Sequence, residues 1–119
     1  MAKSLLIVSR QAPWTGPGAR EALDIALAGG AYDLPLAMLF LDDGVFQLAS
    51  SQQPVQLQQK DLGANLNALP MFGVEDLYVC VSSLVERGLS TEGLTLPVRA
   101  LQAAELTGLF DRFDHVITL

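Results

Sequence analysis

A chain of 119 residues has room for one domain, and we expect a single domain over residues 1–119. Its 13 acidic and 7 basic residues give a net charge of −6, and the bases are scattered, which argues against direct binding to nucleic acid because such binding depends on clustered Lys and Arg. Cys80 is the only cysteine, so a disulfide-stapled secreted scaffold is excluded.

The apolar runs are too short for a membrane-spanning segment or a signal peptide. The longest, Leu34–Leu41, has eight residues, where a membrane span needs about 20. The run Leu5–Val8 near the N-terminus is too short for the core of a signal peptide. We therefore expect a cytoplasmic protein without a membrane partner.

The first part of the chain predicts a strand, a loop, a helix and a second strand. Ser4–Val8 is apolar and partly β-branched, which is typical of a strand buried on both faces. Apolar residues recur at helical spacing over Ala19–Leu27, and Gly29-Gly30 is expected to stop that helix. Pro35–Leu41 predicts the second strand, which Asp42-Asp43-Gly44 ends.

The rest of the chain continues the alternation of strands and helices. Ser82 and Ser83 are expected to cap a short helix that Gly88 ends. The predicted elements are a short helical turn or ordered loop at Val45–Leu48, a helix at Val55–Leu69, strands at Leu77–Val81, Pro97–Leu101 and His115–Leu119, and a final helix containing Leu106, Leu109, Phe110 and Phe113.

This alternation predicts a three-layer α/β/α domain with a mostly parallel five-stranded sheet. Ligand and catalytic sites of such sheets lie at the carboxyl ends of the strands. The residues at those ends are Ser9-Arg10, Asp42-Asp43-Gly44 and Cys80–Ser83. We expect any functional site among them.

Three familiar chemistries are disfavoured at these positions. The loop Arg10–Arg20 has neither the glycine spacing of a dinucleotide fingerprint nor the ending of a P-loop, and its prolines remove N–H donors. Asp42 and Asp43 are placed to hold a cation, but we favour a role in ending the strand and capping the next turn. His115 is the only histidine and precedes the last strand, away from the site edge. A catalytic pairing of histidine with serine or cysteine, and a zinc site, are therefore unsupported. We expect no metal and no cofactor.

Cys80 is the candidate with chemical potential. It ends the third strand just before a predicted helix, whose N–H groups and dipole favour a thiolate. The alternative is a buried cysteine that acts as a small apolar side chain between Val79 and Val81. We favour the second interpretation and keep Cys80 as a candidate.

The surface composition indicates a protein that works within an assembly. Apolar residues make up 50% of the chain and charged residues 17%, against about 25% charged in an ordinary globular domain. Part of the surface is therefore expected to face another subunit. A large core under a surface of Ser, Thr and Gln is the alternative.

Two segments resemble the TusC/DsrF family. They are Asp43-Gly-Val-Phe-Gln-Leu48 after the second strand and Val79-Cys-Val-Ser-Ser-Leu-Val-Glu-Arg-Gly-Leu89 after the third. The opening strand, loop and helix and the ending Phe113–Ile117 are similar too, so the resemblance covers essentially the whole chain.

The resemblance implies a C-type subunit that joins B-type and D-type sister subunits in a dimer of trimers. Such a complex passes persulfide sulfur toward 2-thiolation of the tRNA wobble uridine, and an E-type protein accepts the sulfur downstream. The related DsrEFH complexes serve sulfur oxidation. The family's established sulfur-carrying cysteine lies in the D-type subunit, which implies that the C-type subunit is mainly a structural partner and not an enzyme by itself.

Two alternatives remain open. In one, this chain is itself a sulfurtransferase that carries persulfide on Cys80; in the other, it is a DsrF-like subunit of a sulfur-oxidation complex. As anchors of the assembly we select the aromatic residues in or beside loops, because aromatic side chains dominate interface energetics. They are Trp14, Phe46 and Phe72.

Overall fold

The apolar runs of the sequence form the strands of one sheet. The computed structural model describes residues 4–12, 17–32, 35–48, 66, 68–74, 76–91 and 98–119. The strands are β1 (Leu5–Ser9), β2 (Leu36–Phe40), β3 (Leu77–Cys80), β4 (Arg99–Leu101) and β5 (His115–Thr118). The helices are α1 (Gly18–Ala31), α2 (Val81–Glu86) and α3 (Ala103–Asp111), with 3₁₀ segments η1 (Asp42–Leu48) and η2 (Leu69–Phe72).

The sheet has five strands in the order β4-β3-β2-β1-β5, and every described pairing is parallel. The chain steps outward from β1 to β4 and then returns to place β5 on the other side of β1. This architecture confirms the predicted α/β fold with a parallel five-stranded sheet.

Two separate apolar clusters cover the two faces of the sheet. Because side chains alternate along a strand, Ile7, Met38 and Val79 pack with α1 on one face. Leu6, Leu39 and Tyr78 of the same strands lie in the other cluster with Leu109 of α3. The sheet is therefore the middle layer between helices, as the three-layer prediction requires.

Helix α1 does not stop where the sequence predicted. It runs through Gly29 and Gly30 to Ala31, and Tyr32 is its C-cap. Both glycines are buried, and a Cβ at Gly30 would collide with the carbonyl oxygen of Phe72 in η2. The glycine therefore permits a close approach of two backbones and does not break the helix.

The expected serine caps of α2 are wrong. The helix begins at Val81 with Cys80 as its extended N-cap residue, and no side chain caps it by a hydrogen bond. Gly88, which follows the helix, has φ +71°, in agreement with its predicted role at the helix end. Most of the predicted helix Val55–Leu69 lies outside the described residues, but Leu66 and Leu69 are buried as expected.

Strand β5 departs from the expectation of strands buried on both faces. All four of its residues are exposed, whereas β2 and β3 are buried throughout. The strand lies at the end of the sheet order, so no neighbour among the described strands covers its outer side. Within the described part of the chain, no helix is both long and apolar enough to cross a membrane.

Candidate functional site

The carboxyl ends of β1, β2 and β3 bring the predicted site residues to one edge of the sheet. Ser9 is the last residue of β1, and Cys80 is the last residue of β3. Asp42 follows the end of β2, with Leu41 between them. Ser9 of β1 pairs with Phe40 of β2, so the segments that follow the two strands begin side by side. Strand packing thus explains why residues far apart in sequence meet here.

Asp42 connects the exit of β1 to helix α2. Its φ of +53° lies in the left-handed region, which Asp tolerates better than most residues. Oδ2 accepts a hydrogen bond from Arg10 Nε at 2.7 Å and forms an ion pair with Arg10 Nη2 at 2.7 Å. Its backbone N–H donates to the hydroxyl oxygen of Ser83 at 2.9 Å. Asp42 is therefore occupied by protein partners, which agrees with the structural role favoured from the sequence.

Asp43 forms a second connection between η1 and α2. Its Oδ1 accepts a hydrogen bond from Arg87 Nε at 2.8 Å, and Arg87 Nη1 also donates to the carbonyl oxygen of Ser83 at 3.2 Å. The hydrogen bond to Asp43 raises the pKa of Arg87 above its ordinary value, so this guanidinium stays charged. Asp43 itself is more than half exposed, and an exposed pair of this kind is worth at most about 1 kcal/mol.

Gly44 and Gln47 hold η1 against the exit of β1. A Cβ at Gly44 would collide with the carbonyl oxygen of Ser9, so only glycine permits this approach. Gln47 is buried and its Nε2 donates to Ser9 Oγ at 2.7 Å and to the Gln11 carbonyl oxygen at 3.0 Å. Its Oε1 is buried without a hydrogen-bond partner among the described residues. The Asp-Gly-Val-Phe-Gln-Leu segment thus packs against the end of β1 and is hydrogen-bonded to it.

Cys80 lies at the strand end that the sequence predicted, but its thiol is shielded. Cys80 is 2% exposed and does not form a disulfide bond. It pairs with Leu101 of β4 and precedes a helix of six residues. Reactive cysteines lie in partly exposed, electropositive surroundings, so sulfur chemistry at Cys80 would require the site to open.

The other predicted residues are not brought to this edge as one group. Phe46 lies half-buried in η1, and Phe72 is exposed at the end of η2. Trp14 lies outside the described residues. His115 starts β5 and donates its backbone N–H to the Ser4 carbonyl oxygen, away from the carboxyl edge as expected. The interface roles of Trp14, Phe46 and Phe72 stay predictions.

The residues that tie this edge together carry no signal in the sequence alone. Arg10 and Arg87 pair with acids 32 and 44 positions away, a separation that no local pattern reveals. In the sequence Gln47 stands out only as part of the family-like segment, and Ser83 binds the Asp42 N–H instead of capping α2 as predicted. The described residues include no group of three or more His, Cys, Asp and Glu that could hold a metal ion.

Comparisons with known proteins agree with this architecture. The model of the DsrE/DsrF-like family matches residues 3–119. A protein of Pseudomonas aeruginosa named "Protein TusC homolog" is 67% identical over 119 residues, covering both chains completely. A Vibrio vulnificus protein of the same name is 34% identical over 114 residues, covering 96% of this chain and 97% of the relative.

Two solved structures share the fold. The ychN protein from E. coli has a TM-score of 0.79 at 24% identity, and MTH1491 from Methanobacterium thermoautotrophicum has a TM-score of 0.67 at 12% identity. Each comparison covers both chains completely. Identities this low show the fold alone. The family model and the relatives aligned along the whole chain go further and confirm the resemblance found in the sequence: the chain belongs to the DsrE/DsrF-like family.

Proposed function

We propose that this chain is the C-type subunit of a sulfur-relay complex that passes persulfide sulfur toward 2-thiolation of the tRNA wobble uridine. It acts in the cytoplasm, mainly as a structural partner of B-type and D-type sister subunits in a dimer of trimers. An E-type protein accepts sulfur from the complex. The name that the relatives carry, TusC homolog, and their alignment over nearly the whole chain support this assignment.

The burial of Cys80 is the observation that carries the structural role. A sulfur carrier must accept sulfur from one protein and hand it to another, so its thiol has to reach both. Cys80 has an exposed fraction of 2%, and the residues that follow it are held to η1 through Ser83 and Arg87. The nearby acids are also paired with arginines and are not free to act as general bases.

The test is Cys80→Ser in the complex assembled with B-type and D-type subunits. The rate of sulfur transfer to the E-type acceptor is followed by the mass of the persulfidated acceptor. We expect the variant to keep at least about half of the wild-type rate, whereas replacing the D-type cysteine abolishes transfer. Stability falls by about 1–2 kcal/mol, because a hydroxyl enters a buried apolar site, so assembly is checked by size.

A tenfold or greater loss of transfer in a correctly assembled Cys80→Ser complex would overturn the structural role. It would make the chain a sulfurtransferase that uses Cys80, the second function considered from the sequence. Its position at the end of β3, before α2, is the feature that favours this second function.

The host process needs its own measurement. Deleting the gene is expected to lower the 2-thiouridine content of the relevant tRNAs, measured by mass spectrometry of digested tRNA, and complementation restores it. An unchanged 2-thiouridine content together with impaired growth on reduced sulfur compounds would instead assign the chain to a DsrF-like sulfur-oxidation complex.

A further inference from the structure

Within the described part of the chain, strand β5 leaves an apolar edge of the sheet uncovered. It is the last strand in the sheet order and pairs with β1 alone among the described strands. Val116 is 43% exposed and Ile117 is 37% exposed, one on each face of the sheet. Strands of parallel sheets are normally covered on both faces, so this exposure is unusual.

The outward backbone groups of β5 belong to Val116 and Thr118. His115 and Leu119 donate their N–H groups to Ser4 and Val8, and Leu119 also accepts the N–H of Arg10. Residues of a strand point alternately to its two sides, so the N–H and C=O groups of Val116 and Thr118 point away from β1. No described strand lies there to bind them.

Lysine, proline and a bulge, three of the usual protections of a strand edge, are missing from this four-residue segment. Natural edge strands avoid pairing with other chains by means of lysine, proline or a bulge. The segment from His115 to Thr118 contains neither lysine nor proline, and its register with β1 is uninterrupted. We propose that β5 pairs antiparallel with β5 of a second copy of this chain and continues the sheet across a two-fold axis.

The pairing register follows from the outward groups. With the two-fold axis at Ile117, Val116 lies opposite Thr118 of the second copy, and symmetry repeats the pair. Each such pair exchanges two hydrogen bonds, so every outward N–H and C=O of Val116 and Thr118 is used. Ile117 then faces Ile117 of the second copy as a non-hydrogen-bonded pair, in which β-branched side chains come close.

Neighbouring registers satisfy fewer groups. An axis at Val116 places Thr118 opposite Asp114, whose N–H is already donated to the hydroxyl oxygen of Ser4. An axis at Thr118 leaves Val116 of each copy opposite neither Val116 nor Thr118 of the other copy. In the Ile117 register the facing residues are His115 with Leu119, Val116 with Thr118, and Ile117 with itself, so no two acids and no two bases oppose each other. An isologous contact of this kind closes as a dimer.

The β5 pairing does not depend on sulfur chemistry. It rests on the edge strand and stands whether or not the chain relays sulfur. It is also compatible with the proposed complex, because each type of subunit occurs twice in a dimer of trimers, so two copies of this chain are available to pair.

The mass of the full-length chain in sedimentation equilibrium tests the proposal. We expect a dimer for the wild type and a monomer for Ile117→Lys, which brings two like charges together, and for Thr118→Pro. The second variant removes an outward N–H that β1 does not use, so the fold tolerates it at an edge. Circular dichroism confirms folding. Val85→Lys is the control, because Val85 is 68% exposed on α2, beyond β3, and this variant stays dimeric.

Amide hydrogen exchange gives an independent readout at the edge itself. The amides of Val116 and Thr118 are expected to be protected in the wild-type dimer and to exchange at least about tenfold faster in Ile117→Lys, while the Leu6 and Val8 amides stay protected. A monomeric wild type, folded Ile117→Lys and Thr118→Pro variants that keep the wild-type mass, or protection of these amides only when a sister subunit is added would overturn the pairing.

Discussion

Gly44 shows how a single residue holds the carboxyl edge of the sheet. Its backbone lies against the carbonyl oxygen of Ser9, and a side chain would enter the space that the carbonyl occupies. The same contact brings Gln47 within hydrogen-bond distance of Ser9 Oγ and the Gln11 carbonyl. The glycine of the Asp-Gly-Val-Phe-Gln-Leu segment is thus required by packing.

We expect Gly44→Ala to lower the free energy of unfolding by roughly 1–3 kcal/mol, because the added methyl group pushes η1 away from β1. Urea denaturation measures the change. Gly108→Ala is the matched control, since a Cβ there meets nothing within 4 Å and alanine in helix α3 stabilises by about 0.5–1 kcal/mol. Gly44→Ala as stable as the wild type would contradict the packing argument.

At the scale of elements, Ser83 joins two segments that are distant in sequence. Its hydroxyl accepts the N–H of Asp42 at the start of η1, although Ser83 itself belongs to α2. Ser83 is 4% exposed and this hydrogen bond is partly buried, so water would only partly compensate the Asp42 N–H for the loss of its acceptor. The adjacent Ser82 is exposed and has no such contact in the described structure.

Ser83→Ala is therefore expected to destabilise the chain by about 1–2 kcal/mol, and Ser82→Ala by less than about 0.5 kcal/mol. Thermal and urea unfolding of the two variants, measured side by side, make the comparison. The opposite order of effects would mean that Ser82 caps α2 in solution, as the sequence alone had suggested.

The elements were predictable to the extent that local pattern determines them. The predicted strand Ser4–Val8 is observed at Leu5–Ser9, and Pro35–Leu41 is observed at Leu36–Phe40, because continuous apolar runs are typical of buried parallel strands. The exposure of β5 was not predictable, since His115–Leu119 has the same local character and only the strand order places it at an edge.

The position of the site was predictable from the sequence, but the side-chain pairs within it were not. Parallel topology put Ser9, Asp42 and Cys80 at one edge, as expected from the positions where their strands end. The pairing of Arg10 with Asp42 and of Arg87 with Asp43 depends on which side chains of different elements meet, and the sequence contains no periodic signal for that.

At the scale of the whole molecule, exposed apolar side chains agree with a surface built for partners. Tyr32 and Met71 are more than four-fifths exposed, and Phe72 is 44% exposed. They come from the end of α1 and from η2, which contact each other where Gly30 meets the Phe72 backbone. With 17% charged residues in the chain, fewer charges than usual are available to keep such a surface in water.

We expect Phe72→Ala to weaken binding to the proposed sister subunits by about tenfold or more, which corresponds to at least about 1.4 kcal/mol. Its effect on the stability of the isolated chain is expected to be smaller than that of truncating a fully buried side chain, because Phe72 is already 44% exposed. The affinity is measured by titrating the variant chain over surface-immobilised sister subunits.

Leu69→Ala in the same 3₁₀ segment is the control with the opposite expectation. Leu69 is fully buried, so its truncation should lower the free energy of unfolding by about 2–5 kcal/mol through the cavity it leaves. At a temperature where this variant is still folded, its affinity for the sister subunits should be near that of the wild type. Unchanged affinity of Phe72→Ala, with Leu69→Ala destabilised as expected, would move the interface away from η2, because the segment would then serve the fold of this chain and not its assembly.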